Sequence, residues 1–301
     1  MSAAEQGLDK RVLAGLAISV LATASAALFV RIAAPIPPEL IAASRVAITA
    51  LATTLLAALT LPNTLRSLAK HPREAAWLLL AGVCLAAHFG AWITSLSLTS
   101  VVRSVALVTT TPIFAGLLAR LLGDHVSPRL YLGGAIALLG TIVMVASPEA
   151  LAGGSLLGDA LALSGAITAA LYLAIGRHVH ARMGEALPLP AYLALVNLVA
   201  ALGLWLFVAL RGLTLEVPDA HPSDWSAILF LGLVPGVLGH GLLNWAVRRT
   251  PVHTVALASL LEPFGAAILA WLFLAEPVGP REALGATILL LGVALGLPKK
   301  P

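Results

Sequence analysis

Charge is what this sequence has least of. Asp, Glu, Lys and Arg make up only 11% of its 301 residues, where soluble domains carry about 25% to cover their surface. A chain so short of charge cannot coat itself for water, which excludes a soluble enzyme. Cysteine is almost missing as well. The single Cys84 rules out an internal disulfide and a cysteine-based metal cage, and its apolar surroundings mark it as a buried structural thiol. The phosphate-cradling pattern Gly-x-x-x-x-Gly-Lys-Ser/Thr does not occur, so nothing supports ATP-driven pumping. Eighteen Lys and Arg against fourteen Asp and Glu give +4 without a basic block; that excess speaks for orientation in a membrane and against a nucleic-acid partner. What the chain does have is apolar side chains, 59% of the total, and a mean hydropathy of +0.98. It reads as an integral membrane protein.

A helix crossing the hydrocarbon needs about 20 apolar residues. Runs of that length, separated by charged or Pro/Gly breaks, fall near 12–31, 39–60, 74–96, 102–121, 129–147, 155–176, 188–210, 225–246, 254–273 and 281–297. Ala22-Thr23-Ala24 resembles a signal-cleavage site, but the run is long and nine more follow, so an uncleaved first helix is expected. With ten spans, Lys10, Arg11, Arg66, Lys70, Arg73, Arg120, Arg129, Arg177, Arg182, Arg248, Arg249, Lys299 and Lys300 fall on one side. Arg31, Arg103, Arg211 and Arg281 fall on the other, and Arg45 lies within the second span. Positive loops stay cytoplasmic, so both termini of this multi-pass chain are expected in the cytoplasm.

The chain also repeats itself. Pro112-Ile113-Phe114-Ala115-Gly116, then Gly123-Asp124 through Pro128, then Leu132-Gly133 through Gly140 is echoed by Pro263-Phe264-Gly265, Ala275-Glu276 through Pro280, and Leu284-Gly285 through Gly292, offset by about 151 residues. Ser25-Ala26-Ala27-Leu28-Phe29 likewise echoes Thr168-Ala169-Ala170-Leu171-Tyr172. Two copies of five helices must insert in opposite senses, because five is odd. The expected fold is therefore an all-α membrane protein of ten transmembrane helices as two inverted five-helix repeats, 1–148 and 149–301, forming one transmembrane domain. Secondary transporters place a mid-membrane site between such repeats.

Several ordered motifs carry a family likeness: Pro38 with Arg45 seven residues on, Gly158-Asp159 opening the sixth span, Leu261-Glu262-Pro263 in the ninth, and Ala270-Trp271 through Glu276 before Gly285 and Gly292. On these, nearly the whole chain resembles the EamA-type branch of the drug/metabolite transporter superfamily, and within it the bacterial amino-acid exporters of the YddG type. The likeness implies export of small cytoplasmic metabolites, above all neutral or aromatic amino acids, by alternating access, with no cofactor. The first copy departs from the pattern, with Asp124 where glutamate is usual and Thr111 where the second copy has Glu262. Efflux of drugs or other metabolites by the same fold is the alternative. A membrane enzyme or scaffold is the rival of another class, and its acid/base or metal cluster is not found: His71, His125, His178, His180 and His221 fall in loops and His253 at a helix end.

Few polar groups remain inside the spans. His88 and Trp92 are four apart, as are His240 and Asn244, so each pair shares one helix face. His88 and His240 also occupy matching places in the two halves. Together these four are candidates for a central cavity, or else the histidines tie neighbouring helices. Glu262 is the sharpest residue: an acid inside the hydrocarbon costs about 2.5–3.5 kcal/mol on insertion scales and marks a functional site by default. It is a candidate proton carrier with His88, a partner for a substrate ammonium, or a structural partner of Arg45. Pro263 cannot donate to the Ser259 carbonyl, so the ninth helix should bend there, and Pro112 should do the same on the fourth. Ser164, Thr168 and Tyr172 form a polar stripe, Asn197 stands alone in the seventh span, and Trp271 reads as an interfacial anchor. Gly232 through Gly241, interrupted by Pro235, reads as tight packing or a hinge, with packing the safer reading.

Overall fold

The computed structural model describes residues 9–99, 104, 107–121, 127–145, 155–274 and 279–296, and all regular elements among them are helical. They are α1 (Lys10–Ala24), α2 (Ala26–Ile32), α3 (Pro38–Ala57), α4 (Leu61–Lys70), α5 (Pro72–Leu98), α6 (Thr111–Leu121) and α7 (Pro128–Val145). α8 (Leu156–Met183), α9 (Leu189–Leu210), α10 (Pro222–Leu231), a π-helical stretch (Gly232–His240), α11 (Gly241–Val247), α12 (Val252–Ser259), α13 (Glu262–Leu274) and α14 (Pro280–Gly296) complete the set. Six stretches are long and apolar enough to cross a membrane: Lys10–Ile32, Pro38–Ala57, Pro72–Leu98, Leu156–Ala186, Leu189–Leu210 and Pro222–Val247.

Local chemistry sets many of the ends. Proline opens α3, α5 and α10, where its missing N–H would go unused. The Ser155 hydroxyl accepts from the Gly158 amide at 3.0 Å to start α8, and Gly184 stops it at φ 52°, a left-handed conformation that glycine tolerates. At the head of α10 the Asp224 carboxylate accepts from the His221 amide at 2.8 Å. Large aliphatic side chains such as Leu51, Leu55, Leu202 and Leu210 stay exposed, an outer surface suited to lipid.

Packing between the two halves of the chain is reciprocal. α5 lies along α8, α1 against the π stretch, α3 along α9, α6 against α12 and α7 along α14. The last pair is the tightest: a side chain at Gly133 would meet the Gly292 carbonyl at 2.5 Å, and one at Gly140 the Gly285 carbonyl at 2.7 Å. The glycines that recur in the sequence are thus the places where two backbones touch. Among the described residues, ion pairs that join opposite halves include Arg182 with Glu74 at 3.0 Å and Arg211 with Glu39 at 3.8 Å.

The structure differs from the sequence expectations in places. The second run ends at Ala57, and Leu61–Lys70 forms a separate short helix rather than a loop. The sixth helix continues to Met183, so His178 and His180 are helical rather than in a loop, and His180 is buried. The first run breaks at Ser25, whose hydroxyl donates to the Ala22 carbonyl at 2.7 Å. The ninth does more than bend: it stops at Ser259 and restarts at Glu262. Asp124, His125 and Glu276 lie outside the described residues, as does the side chain of Trp271.

Candidate functional site

The two broken stretches face each other across a cavity. In the first half, the Thr110 amide donates back to Leu107 and the Ile113 amide to Thr110, at 3.1 and 2.9 Å, so the chain turns before Thr111-Pro112. In the second, Leu260 and Leu261 donate back to Leu257 and Ala258, at 3.2 and 3.0 Å, before Glu262-Pro263. Both prolines lack the N–H that would join the segments. Thr109, Thr111 and Pro112 from one side and Ser259 and Glu262 from the other line a cavity of about 100 Å³. Irregular backbone at membrane depth is tolerated where it lines such a space. Glu262 is the first residue of α13, where the helix dipole favours an acid, and Thr23 of α1 lines the same space.

Aromatic and imidazole rings form the opposite wall. His88 and Trp92, one turn apart on α5, lie nearly parallel with centroids 6.2 Å apart. The His88 Nδ1 sits 2.9 Å from the Gly165 carbonyl, so this nitrogen is the donor and Nε2 is left as acceptor. Phe89 is the hinge of the cluster. Its ring lies 4.8 Å from that of His88 and meets His240 edge-on at 5.2 Å. The Arg45 guanidinium stacks on Phe89, 4.3 Å from its centroid. Arg45 is only 1% exposed, and its Nε and Nη1 have no hydrogen-bond partner. Among the described residues no ion pair joins Arg45 to Glu262.

His240 reaches the cavity from the π stretch. Two carbonyls of this stretch accept from neighbouring helices: the Thr49 hydroxyl donates to Gly232 at 2.8 Å and the Ser19 hydroxyl to Gly239 at 2.7 Å. Gly232, Gly236 and Gly239 abut Ile48, Thr49 and Thr23. These glycines pack closely on α1 and α3, while the π geometry is a feature of its own, and such bulges gather at functional sites.

His88, Trp92, Tyr172, His240 and Glu262 meet at this cavity, with Pro112 and Pro235, and so does Arg45, which sequence reading treated as a structural tie. Asn244 stands behind the lining, donating to the Tyr172 hydroxyl at 2.6 Å and the His240 carbonyl at 2.8 Å. Asn197 does not line the cavity; its amide donates to the Leu193 carbonyl of its own helix at 2.8 Å. Of the polar stripe only Tyr172 reaches the cavity. Ser164 and Thr168 donate to Ala160 and Ser164 of the same helix, at 2.7 and 2.8 Å. Sequence reading missed Phe89, Thr23, Thr109 and Ser259. Only the proximity of the last two to Pro112 and Pro263 signalled them.

Comparison with known proteins agrees with this architecture. The EamA-like transporter family matches twice, over residues 10–146 and 156–297. A protein of Arabidopsis thaliana named GDP-mannose transporter GONST5 is 33% identical over 94 residues, 30% of this chain and 27% of that protein. The uncharacterized transporter YdfC of Bacillus subtilis (strain 168) is 27% identical over 188 residues, 62% of this chain and 59% of that one. The matched stretches thus span about a quarter and three fifths of these relatives. A solved structure described only as "Crystal structure of protein" superposes with a TM-score of 0.76 at 19% identity, covering 95% of this chain and 97% of the other. It shares the fold.

Proposed function

This chain belongs to the EamA-like transporter family, and from that premise we propose that it is a ten-helix secondary transporter of the YddG type exporting amino acids, chiefly neutral or aromatic ones. Its two inverted five-helix repeats, 1–148 and 149–301, work by alternating access around the central cavity. The bilayer is a bacterial inner membrane with both termini cytoplasmic, in keeping with the Lys/Arg bias of the loops.

One observation carries the reading. Arg45 from the first half and Glu262 from the second line the same cavity without pairing, beside a wall of Trp92, Phe89 and His88. A basic and an acidic group held apart suit a small zwitterion between them, and flat rings suit an apolar or aromatic side chain. The reciprocal packing of α5 on α8, α3 on α9 and α7 on α14 supports repeats related by a two-fold axis, with the two broken stretches on either side of the site. Movement of protons against the amino acid would use Glu262 and His88.

Counterflow tests this. Proteoliposomes preloaded with unlabelled neutral or aromatic amino acids should accumulate labelled phenylalanine, and those preloaded with sugars or nucleotides should not. Glu262→Gln should slow net efflux while exchange persists. If no amino acid drives accumulation by folded protein, the substrate assignment falls and the transporter fold remains. Efflux indifferent to an imposed pH gradient would remove proton coupling. The likeness to a protein named a GDP-mannose transporter favours a second reading, a phosphorylated solute, which the same panel separates.

A further inference from the structure

Buried side-chain nitrogens outnumber their hydrogen-bond partners around the cavity. Arg45 Nε and Nη1, Trp92 Nε1 and His240 Nδ1 are all buried and unpartnered, and all three residues line the space. The face of Phe89 beneath the guanidinium holds it in place but offers no acceptor. A buried cation is costly unless paired or coordinated, and among the described residues no carboxylate lies within 4.0 Å of Arg45. The site is short of one thing, an anionic acceptor. Resting on the transport reading, we propose that Arg45 is the specificity-determining residue that binds the carboxylate of the transported solute, with Trp92 Nε1 and His240 as flanking polar contacts.

The chemistry favours a carboxylate over a phosphate. Arg45 is the one Lys or Arg among the described residues that line the cavity, and one guanidinium matches the single charge and two oxygens of a carboxylate. A phosphate ester would bring up to two charges and three oxygens to a site with one cation, beside the acid Glu262. A cavity of about 100 Å³ also suits a small acid better than a sugar nucleotide. The stacked Arg45 adds a reason for Phe89 to be aromatic: an aromatic face orients the planar guanidinium without neutralising it.

The test is a competition series on wild-type proteoliposomes exchanging labelled phenylalanine. Unlabelled phenylalanine and 3-phenylpropionate, which keep the carboxylate, should compete; phenylalaninamide and phenethylamine, which lack it, should need about 100-fold higher concentrations. Glucose 6-phosphate and GDP-mannose form the phosphate arm. Arg45→Lys should raise KM and retain exchange, whereas Arg45→Gln should abolish discrimination between the acid and its amide. Phenylalaninamide competing within threefold of phenylalanine overturns the proposal, as does a folded Arg45→Gln with unchanged KM. Exchange driven by phosphate esters and not by carboxylates also overturns it. If amino acids fail but another carboxylic acid drives exchange that Arg45→Gln loses, the amino-acid reading falls and the role of Arg45 stands. Should nothing be transported, thermal stabilisation by 3-phenylpropionate still reads the site: present in wild type and lost in Arg45→Gln it upholds the proposal, and absent in wild type it overturns it.

Discussion

Replacing Gly140 by alanine adds a single methyl group, yet the structure predicts a large effect. The new carbon would press on the Leu289 amide and sit 2.7 Å from both the Gly285 carbonyl oxygen and the Leu289 Cα. All three are backbone atoms of α14, so no side chain can swing aside. Ordinary contact begins near 3.4 Å, so α7 and α14 must part by at least about 0.7 Å, enough to forfeit a quarter to a half of the dispersion between facing atoms. Lipid supplies no hydrophobic drive to hold two helices together, and packing does that work. Overfilling a packed interface costs about 1–3 kcal/mol, which should outweigh the roughly 1 kcal/mol that alanine gains over glycine in a helix. Gly134 is the built-in control, since a methyl there meets only Leu257 Cδ1 at 4.0 Å. Thermal unfolding in detergent should show Gly140→Ala well below wild type and Gly134→Ala level with it or above. Equal melting points for the two variants would refute the backbone-contact argument.

Two further outcomes follow from the site and its surroundings. Thr49→Val removes the hydroxyl that donates to the Gly232 carbonyl while keeping its volume, and should cost about 0.5–1.5 kcal/mol in the same melt; no loss would mean the π stretch does not depend on that bond. Asn197→Leu should leave the KM for transport within twofold of wild type, because Asn197 is tied to its own helix away from the cavity, and a tenfold rise in KM would place it back in the pathway.

Much of the site was visible in the sequence, because a polar group in an apolar run has to be explained. His88, Trp92, His240 and Glu262 stood out on that ground, and the four-residue spacing placed each pair on one face. The same rule is blind to direction around a helix, which is why Asn197 and Ser164 looked equivalent to Tyr172 until their own helices were seen to satisfy them. Arg45 was visible as a lone cation, which invites pairing with a lone acid; the three-dimensional arrangement places both at one cavity, unjoined. Phe89 carried no signal, being one apolar residue among many. Pro112 and Pro263 marked where helices could not continue, but whether they bend or break depends on the turns just before them, where Thr110 donates back to Leu107 and Leu260 and Leu261 to Leu257 and Ala258. The π stretch depends on hydroxyls of Ser19 and Thr49 more than 180 residues away in sequence, a dependence that periodicity cannot register.

Alternating access is the claim on which the rest depends, and it is tested most directly by labelling one cavity position from each side of the membrane. Ser259→Cys, in a background where the buried Cys84 is replaced by alanine, puts a thiol of nearly the same size among the lining residues. In right-side-out and inside-out vesicles, a membrane-impermeant thiol reagent should reach it from both faces, and a transported amino acid should slow both reactions. Labelling from one face only, unchanged by solute, would contradict the account.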